Sequence, residues 1–182
     1  NQLYFSDGIS EEILNSLVRV DGISVASRTS SFGFRGESQS IPEIAEELQV
    51  LFVLEGSVRK AGERVRITAQ LIDAEHDRHL WSESYDRDLA DIFSIQSEIA
   101  NAIARSVRSE MGLSDTVEVP VKTLTENMSA YDLYLKGRSA HSQRYGSQHV
   151  VDSIDYLEQA VALDPQFAVA WARLAAAYSS AP

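Results

Sequence analysis

Cysteine is absent from this 182-residue chain, so neither disulfides nor thiolate chemistry can enter its function. The same absence suits the cytoplasm or an exported domain and fixes no compartment. Basic residues are few beside acidic ones: 16 Lys and Arg against 27 Asp and Glu leave a net charge of −11. A nucleic-acid duplex or an anionic membrane surface would repel such a chain, so nucleic acid is not expected as a partner of this segment. The basic spot at Arg59-Lys60 with Arg64 and Arg66 flanks a hairpin turn and reads as a solvated rim. No apolar run approaches the ~20 residues that span a bilayer, and no basic-then-apolar signal opens the chain. The chain starts abruptly on Leu3, Tyr4 and Phe5 and closes on a helical pattern at Ala181-Pro182. Both ends therefore read as cuts through a longer polypeptide, and any membrane anchor is expected outside them. What is present, 44% hydrophobic and 24% charged residues, is the balance of a folded globular protein. The length suits one ordinary domain and part of a second.

Residues 53–93 are the most informative stretch. They begin as a near-continuous apolar run, turn at Ala61-Gly62, then alternate, with Val65, Ile67, Ala69 and Leu71 on one face and Arg66, Thr68 and Gln70 on the other. A second polar turn around residues 76–78 leads to an extended run carrying Trp81 and Tyr85. Period-two apolar runs separated by glycine and acidic turns predict a three-stranded antiparallel meander.

Around it, Asp7-Gly8 is expected to break the chain before a helix whose apolar face is Ile9, Ile13, Leu14, Leu17 and Val18. Residues 23–28 read as a short strand, followed by a polar turn at 29–32. Ser40-Ile41-Pro42-Glu43 is a capping box with proline in the first turn and opens a short helix. Ile92, Ile95, Ile99, Ile103 and Val107 form the stripe of an amphipathic helix that should cover the sheet. A strand between two helices should pair in parallel, so the expectation is an α/β domain over residues 1–113 with a mixed sheet.

These blocks carry a resemblance. Tyr4-Phe5-Ser6-Asp7-Gly8, Arg28-Thr29-Ser30-Ser31-Phe32, Leu54-Glu55-Gly56-Ser57-Val58-Arg59 and Arg64-Val65-Arg66-Ile67-Thr68, in that order, match one family. So do Gln70-Leu71-Ile72-Asp73, Leu80-Trp81-Ser82-Glu83 with Tyr85-Asp86-Arg87, and Asp91-Ile92-Phe93-Ser94-Ile95-Gln96. Together they resemble a bacterial domain similar to the TolB amino-terminal domain, over nearly all of residues 4–111. The resemblance implies a place between an output domain and a run of tetratricopeptide repeats, attached to a class III adenylate cyclase or a winged-helix transcription regulator. It also implies a bacterial protein, on the cytoplasmic or the periplasmic side of a membrane-anchored parent. The sequence departs from the family twice. The apolar strand that usually precedes the tyrosine-phenylalanine block is missing, and Glu75-His76-Asp77-Arg78 replaces a small glycine-containing turn.

Residues 114–126 carry Pro120 and alternating Val and Thr with no helical stripe, and read as an extended linker. Its valines at 117, 119 and 121 suggest packing along the sheet as an edge strand. Residues 127–182 read as an all-α segment. Trp171, Leu174, Ala175 and Tyr178 fit the first helix of a tetratricopeptide repeat, with alanine for glycine, and Leu157, Ala160 and Pro165 fit the second helix and terminal proline of the repeat before it. The two sets agree in register under a ~34-residue period. The first repeat is irregular: polar residues 142–149 are inserted, and Leu133 stands where the aromatic anchor is expected. About one and a half repeats are visible, whereas such stacks generally need three or more.

No catalytic, cofactor or metal site emerges. His76 and His79 lie near Asp73, Glu75 and Asp77, but on a strand–turn–strand they need not converge as metal ligands. Gly33-Phe34-Arg35-Gly36 lacks the spacing of a phosphate loop, and Gly56-Ser57 lacks the second glycine of a nucleophile elbow. Glu55, amid Phe52, Val53, Leu54 and Val58, is expected to need an arginine partner, with Arg28, Arg66 and Arg87 as candidates. Arg28, Ser30, Glu55, Arg66 and Arg87 thus form the one candidate polar cluster, structural or ligand-binding. The favoured reading is a non-catalytic interaction and sensing module, whose repeat groove takes a protein or peptide. The alternative is an enzyme domain handling a phosphoester or nucleotide at that arginine-rich cluster. Homo-oligomerisation stays open.

Overall fold

The computed structural model describes residues 3–34, 39–113, 118–120, 122–142 and 147–180. The protein is mixed α/β, with seven α-helices and one three-stranded antiparallel sheet among these residues. It divides into two units: Ser10–Val121, built on the sheet, and Asn1–Ile9 with Lys122–Pro182, built of helices. Each is described by itself.

In the sheet unit, β1 (Phe52–Ala61), β2 (Arg64–Asp73) and β3 (Arg78–Asp88) run in the order β1-β2-β3. Gly62 turns β1 into β2 with a positive φ of 59°, and Val58 and Tyr85 flank Ile67 in register. Alternation along β2 puts Val65, Ile67, Ala69 and Leu71 in the core at 5% exposure or less. Helix α4 (Ile92–Glu110) supplies the covering stripe: Ile92, Ile95, Ile99, Ile103 and Val107 are all buried. Each such side chain contributes ~1.5–3 kcal/mol relative to leaving it exposed. The short α3 (Ile41–Leu48) starts at the expected box, Ser40 N–H donating to the Glu43 carboxylate at 2.8 Å. That bond, with one from the Ser40 hydroxyl, holds the Glu43 carboxyl below the usual range.

Three expectations for this unit are corrected. Residues 23–27 form no strand, so the sheet among the described residues is wholly antiparallel rather than mixed. Ile23 and Val25 are half-buried, which accounts for their alternation without a ladder. Residues 28–31, expected as a turn, form the one-turn helix α2 (Arg28–Ser31), because the Ser27 hydroxyl caps Ser30 N–H at 3.2 Å. Val119 does not add a strand to the sheet. It is buried beside α4, where the Asn101 side chain accepts from Val119 N–H at 2.7 Å and donates to its carbonyl at 3.0 Å. Val117 and Val121 lie outside the described residues.

In the helical unit, α5 (Met128–Ser142) and α6 (Ser147–Leu163) pack antiparallel, since Asn127 at the start of α5 donates to Leu163 O at the end of α6. Close approach explains Gly137 in mid-helix: a Cβ there would lie 2.7 Å from Leu157 Cγ. After Asp164-Pro165, α7 (Ala168–Ser179) turns back along α6, with Tyr178 hydrogen-bonded to Glu158. Helix α1 begins at Leu3 and runs unbroken to Leu17, so the expected break at Asp7-Gly8 does not occur. Glycine costs a helix interior ~1 kcal/mol relative to alanine. Here packing accounts for it, because a Cβ on Gly8 would sit 2.6 Å from Leu135 Cδ2.

Candidate interaction surfaces

An offset of 40 residues carries α5 onto α7: Ala130 onto Ala170, Tyr131 onto Trp171, Tyr134 onto Leu174, Leu135 onto Ala175, Gly137 onto Ala177 and Arg138 onto Tyr178. One row, 130/134/137 and 170/174/177, is buried on both helices. The neighbouring row is not treated alike. Tyr131, Leu135 and Arg138 are 1%, 1% and 7% exposed, whereas Trp171 and Tyr178 are 49% and 51% exposed and Ala175 is open. Tyr131, at the position matching Trp171, supplies the aromatic that the sequence reading found missing at Leu133.

Residues 3–9 cover the α5 row. Tyr4 donates its hydroxyl to Asp132 at 2.9 Å, Lys136 lies 5.6 Å from the Tyr4 ring centroid, and Arg138 donates to Gly8 O at 3.0 Å. Burial and then the Asp132 carboxylate push the Tyr4 hydroxyl well above the usual tyrosine range, so it stays a donor. Tyr134 is wedged against Phe167, with ring centroids 5.1 Å apart. On α7, Trp171 is steadied by an indole N–H bond to Pro165 O at 3.0 Å, yet half its surface faces solvent. Trp171 and Tyr178, two turns apart on one helix face with Ala175 between, make an exposed aromatic patch whose polar atoms are held by Pro165 and Glu158. Beside the α5–α6 ends lies a shallow depression of ≈ 520 Å³ lined by Thr125, Asn127, Asp164 and their neighbours. Its polar groups are already joined to one another, Thr125 Oγ1 to Asp164 at 2.5 Å and Asn127 N–H to Thr125 at 3.0 Å.

The residues of the expected polar cluster fall on separate elements. Arg28, on α2, pairs with Glu11 at 2.8 Å and stacks over Phe32. Ser30 shares its hydroxyl with Ser27 at 2.9 Å. Arg66 and Arg87 project from opposite sheet faces, as Arg66 stands opposite Asp86 and Arg87 opposite Val65. Arg66 binds Asp86 at 2.5 and 3.0 Å, and Arg87 binds Glu98 of α4 at 2.8 and 3.0 Å. Glu55 is not buried as its apolar neighbours suggested; it faces solvent from β1, and no ion pair joins it to a described arginine. Arg64 and then Arg66 hold the Asp86 carboxyl below its ordinary range. In the β2–β3 turn, burial pushes the Asp73 carboxyl up, but bonds from His76 and Arg78 together bring it below the usual value. There Asp73 accepts from Glu75 N–H and His76 Nδ1, and Asp77 takes a left-handed φ of 48°. Among the described residues no group of histidine and carboxylate side chains converges to hold a metal ion, and no helix is long and apolar enough to cross a membrane. Gly33 and Phe34 lie in a 3-10 turn; Arg35 and Gly36 lie outside the described residues.

Sequence reasoning missed Asn101 and Arg138. Arg138 is a polar residue among Tyr131, Tyr134 and Leu135, the signal that marks a buried polar partner, whereas Asn101 stands beside Ser97, Glu98 and Arg105 and carries no such signal.

No protein-family model matches the chain. It is 39% identical over 175 residues to a protein of Rhizobium meliloti (strain 1021) named "Putative adenylate cyclase 3". The match takes in 95% of this chain but 29% of that protein, so the chain spans less than a third of the relative's length.

Proposed function

We propose that this chain is a non-catalytic interaction and sensing module that regulates or localises an adenylate cyclase domain carried elsewhere in a longer polypeptide. The observation that carries the reading is the alignment of 95% of the chain with a 29% portion of a protein named as a cyclase. In this reading residues 1–113 are a TolB-like domain, 114–126 a linker and 127–182 the opening of a tetratricopeptide array. The 40-residue correspondence of α5 and α7, with its shared buried row, supports the repeat assignment. The open Trp171 and Tyr178 support protein or peptide as the partner. The carboxylates on Arg28, Arg66 and Arg87 favour a structural role for those arginines over the alternative, a phosphate-handling enzyme site.

Two measurements test this. The isolated chain, given ATP and a divalent cation, is expected to form no cyclic AMP; turnover would overturn the non-catalytic reading. Deleting the segment from the longer polypeptide is expected to leave cyclase activity intact and to abolish its regulation or its localisation. A deletion that alters neither property would sink the proposal.

A further inference from the structure

The chain is fastened at Val119 and again at Thr125, and the two fastenings differ in kind. At Thr125 the grip is a knot of several residues. Thr125, 5% exposed, gives its hydroxyl to Asp164 and accepts Asn127 N–H at 3.0 Å. Asn127 in turn accepts from Ala130 N–H at 3.0 Å and donates to Leu163 O at 3.2 Å. Undoing this knot would strip the start of α5 of its cap. At Val119 the grip is one residue wide. Val119 is 7% exposed, whereas Glu118 and Pro120 on either side are open to solvent. Two side chains of α4, Asn101 and Ser97, make the hydrogen bonds that hold it, and the one from Ser97 to Pro120 O is long at 3.4 Å. Pro120 has no N–H with which to extend the pairing.

The notch that receives Val119 is built to survive without it. Asn101 also donates to Ser97 O, one turn earlier in α4, at 2.9 Å, so its carboxamide stays oriented when Val119 leaves. Asn101 is half-buried and within reach of water, so release hydrates it instead of orphaning it. The core is not opened either. Ile95, Ile99 and Ile103 stand two residues out of phase with Ser97 and Asn101, on the opposite side of the helix. Proline restricts the released chain, which lowers the entropy lost on closing again. We propose that residues 118–120 are a strap that leaves and re-enters the Asn101–Ser97 notch while the sheet unit stays folded, giving the linker a tied and a free state. The notch reads main chain and one small branched side chain. A ligand that takes residues 118–120 must draw on the free state, which makes the strap a control point for access to the linker. The strap belongs to the sheet unit alone and holds whichever output domain the parent carries.

Native-state amide exchange on the full chain, read residue by residue, tests the strap. The Val119 amide, bonded to the Asn101 Oδ1 at 2.7 Å, is expected to exchange about a hundredfold faster than those of Ile99 and Ile103, yet slower than free peptide. N101A is expected to speed it by about tenfold or more, the equivalent of two lost hydrogen bonds, and to change Ile99 and Ile103 far less. N101D is nearly the same shape and gives a folded comparison should alanine disturb α4. It keeps an acceptor for Val119 N–H but sets a carboxylate against the Val119 carbonyl, and is also expected to speed exchange. Cleavage after Glu118 by a glutamate-specific protease should rise in parallel. Three results overturn the strap. Val119 exchanging in step with Ile99 would make it part of the core. Val119 exchanging at the free-peptide rate in wild type would mean that nothing holds it. Exchange and cleavage indifferent to both Asn101 variants would remove the notch as the grip.

Discussion

Tyr131, Leu135 and Arg138 on α5 are shut from water, while Trp171, Ala175 and Tyr178, their counterparts on α7, lie open. Both helices bury the adjoining row to the same degree, so the contrast does not come from the helices themselves. It comes from what lies beside them: residues 3–9 cover the first, and no described residue covers the second in the same way. The residue sizes follow the difference. Leu135 is met by a glycine, so close approach has shaped the covering helix, whereas α7 itself carries the small residue at that position. Under the proposed function, the exposed aromatic pair on α7 is the surface that a protein or peptide partner would meet.

The comparison breaks first at the shared row. Tyr134→Ala removes a ring 1% exposed and wedged on Phe167, and is expected to cost about 3–5 kcal/mol in urea unfolding. A cost below that of an exposed substitution would show that the row is not core. Next, Gly137→Ala drives a methyl against Leu157 and Ser153 and is expected to cost about 1–3 kcal/mol. The mirror change Ala177→Gly should cost only about 1 kcal/mol, from helix propensity. Equal costs would erase the distinction between the two helix contacts. Third, Tyr4→Phe deletes the hydroxyl bound to Asp132 and should lower stability by about 1 kcal/mol, while Trp171→Ala should cost no more than that in the monomer. Unfolding midpoints in the reverse order would mean that the α5 row gains little from its cover.

The smallest effect lies in the sheet unit and serves as a control on both helices. Because Asp86 titrates below its ordinary value when folded, its pairing with Arg64 and Arg66 is fully present above about pH 4 and is lost as pH falls through the lowered folded value. Asp86→Asn is expected to flatten the acid side of the stability profile without altering the response of α5 or α7 variants. An unchanged acid slope would remove Asp86 as its source.

How much of this was legible depends on the distance between a residue and its reason. The β2 alternation, the α4 stripe and the Ser40–Glu43 box all answer to neighbours within a few residues or across one turn, and the sequence displays them. Gly8 does not, since the leucine that demands it stands far along the chain at Leu135; read locally, the glycine looks like a helix boundary. Ile23 and Val25 alternate as strand residues do, yet a strand exists only where a ladder partner is found, and pattern alone supplies none. Glu55 was misjudged for a related reason. Apolar neighbours along a strand say nothing about which face a residue takes, and Glu55, opposite Gln70, stands on the face of β1 away from Leu54 and Val58. Glu55 was expected to take one of three arginines as its partner, but Arg28, Arg66 and Arg87 pair with Glu11, Asp86 and Glu98 instead.

The clasp between Asn101 and Val119 bears on where this polypeptide can be cut. A fragment trimmed just after α4 would keep every strand and helix of the sheet unit, yet leave the carboxamide of Asn101 facing an empty slot and α4 bare where a valine now lies. An excised version meant to stand alone should therefore extend at least through Pro120, whose carbonyl also receives the Ser97 hydroxyl.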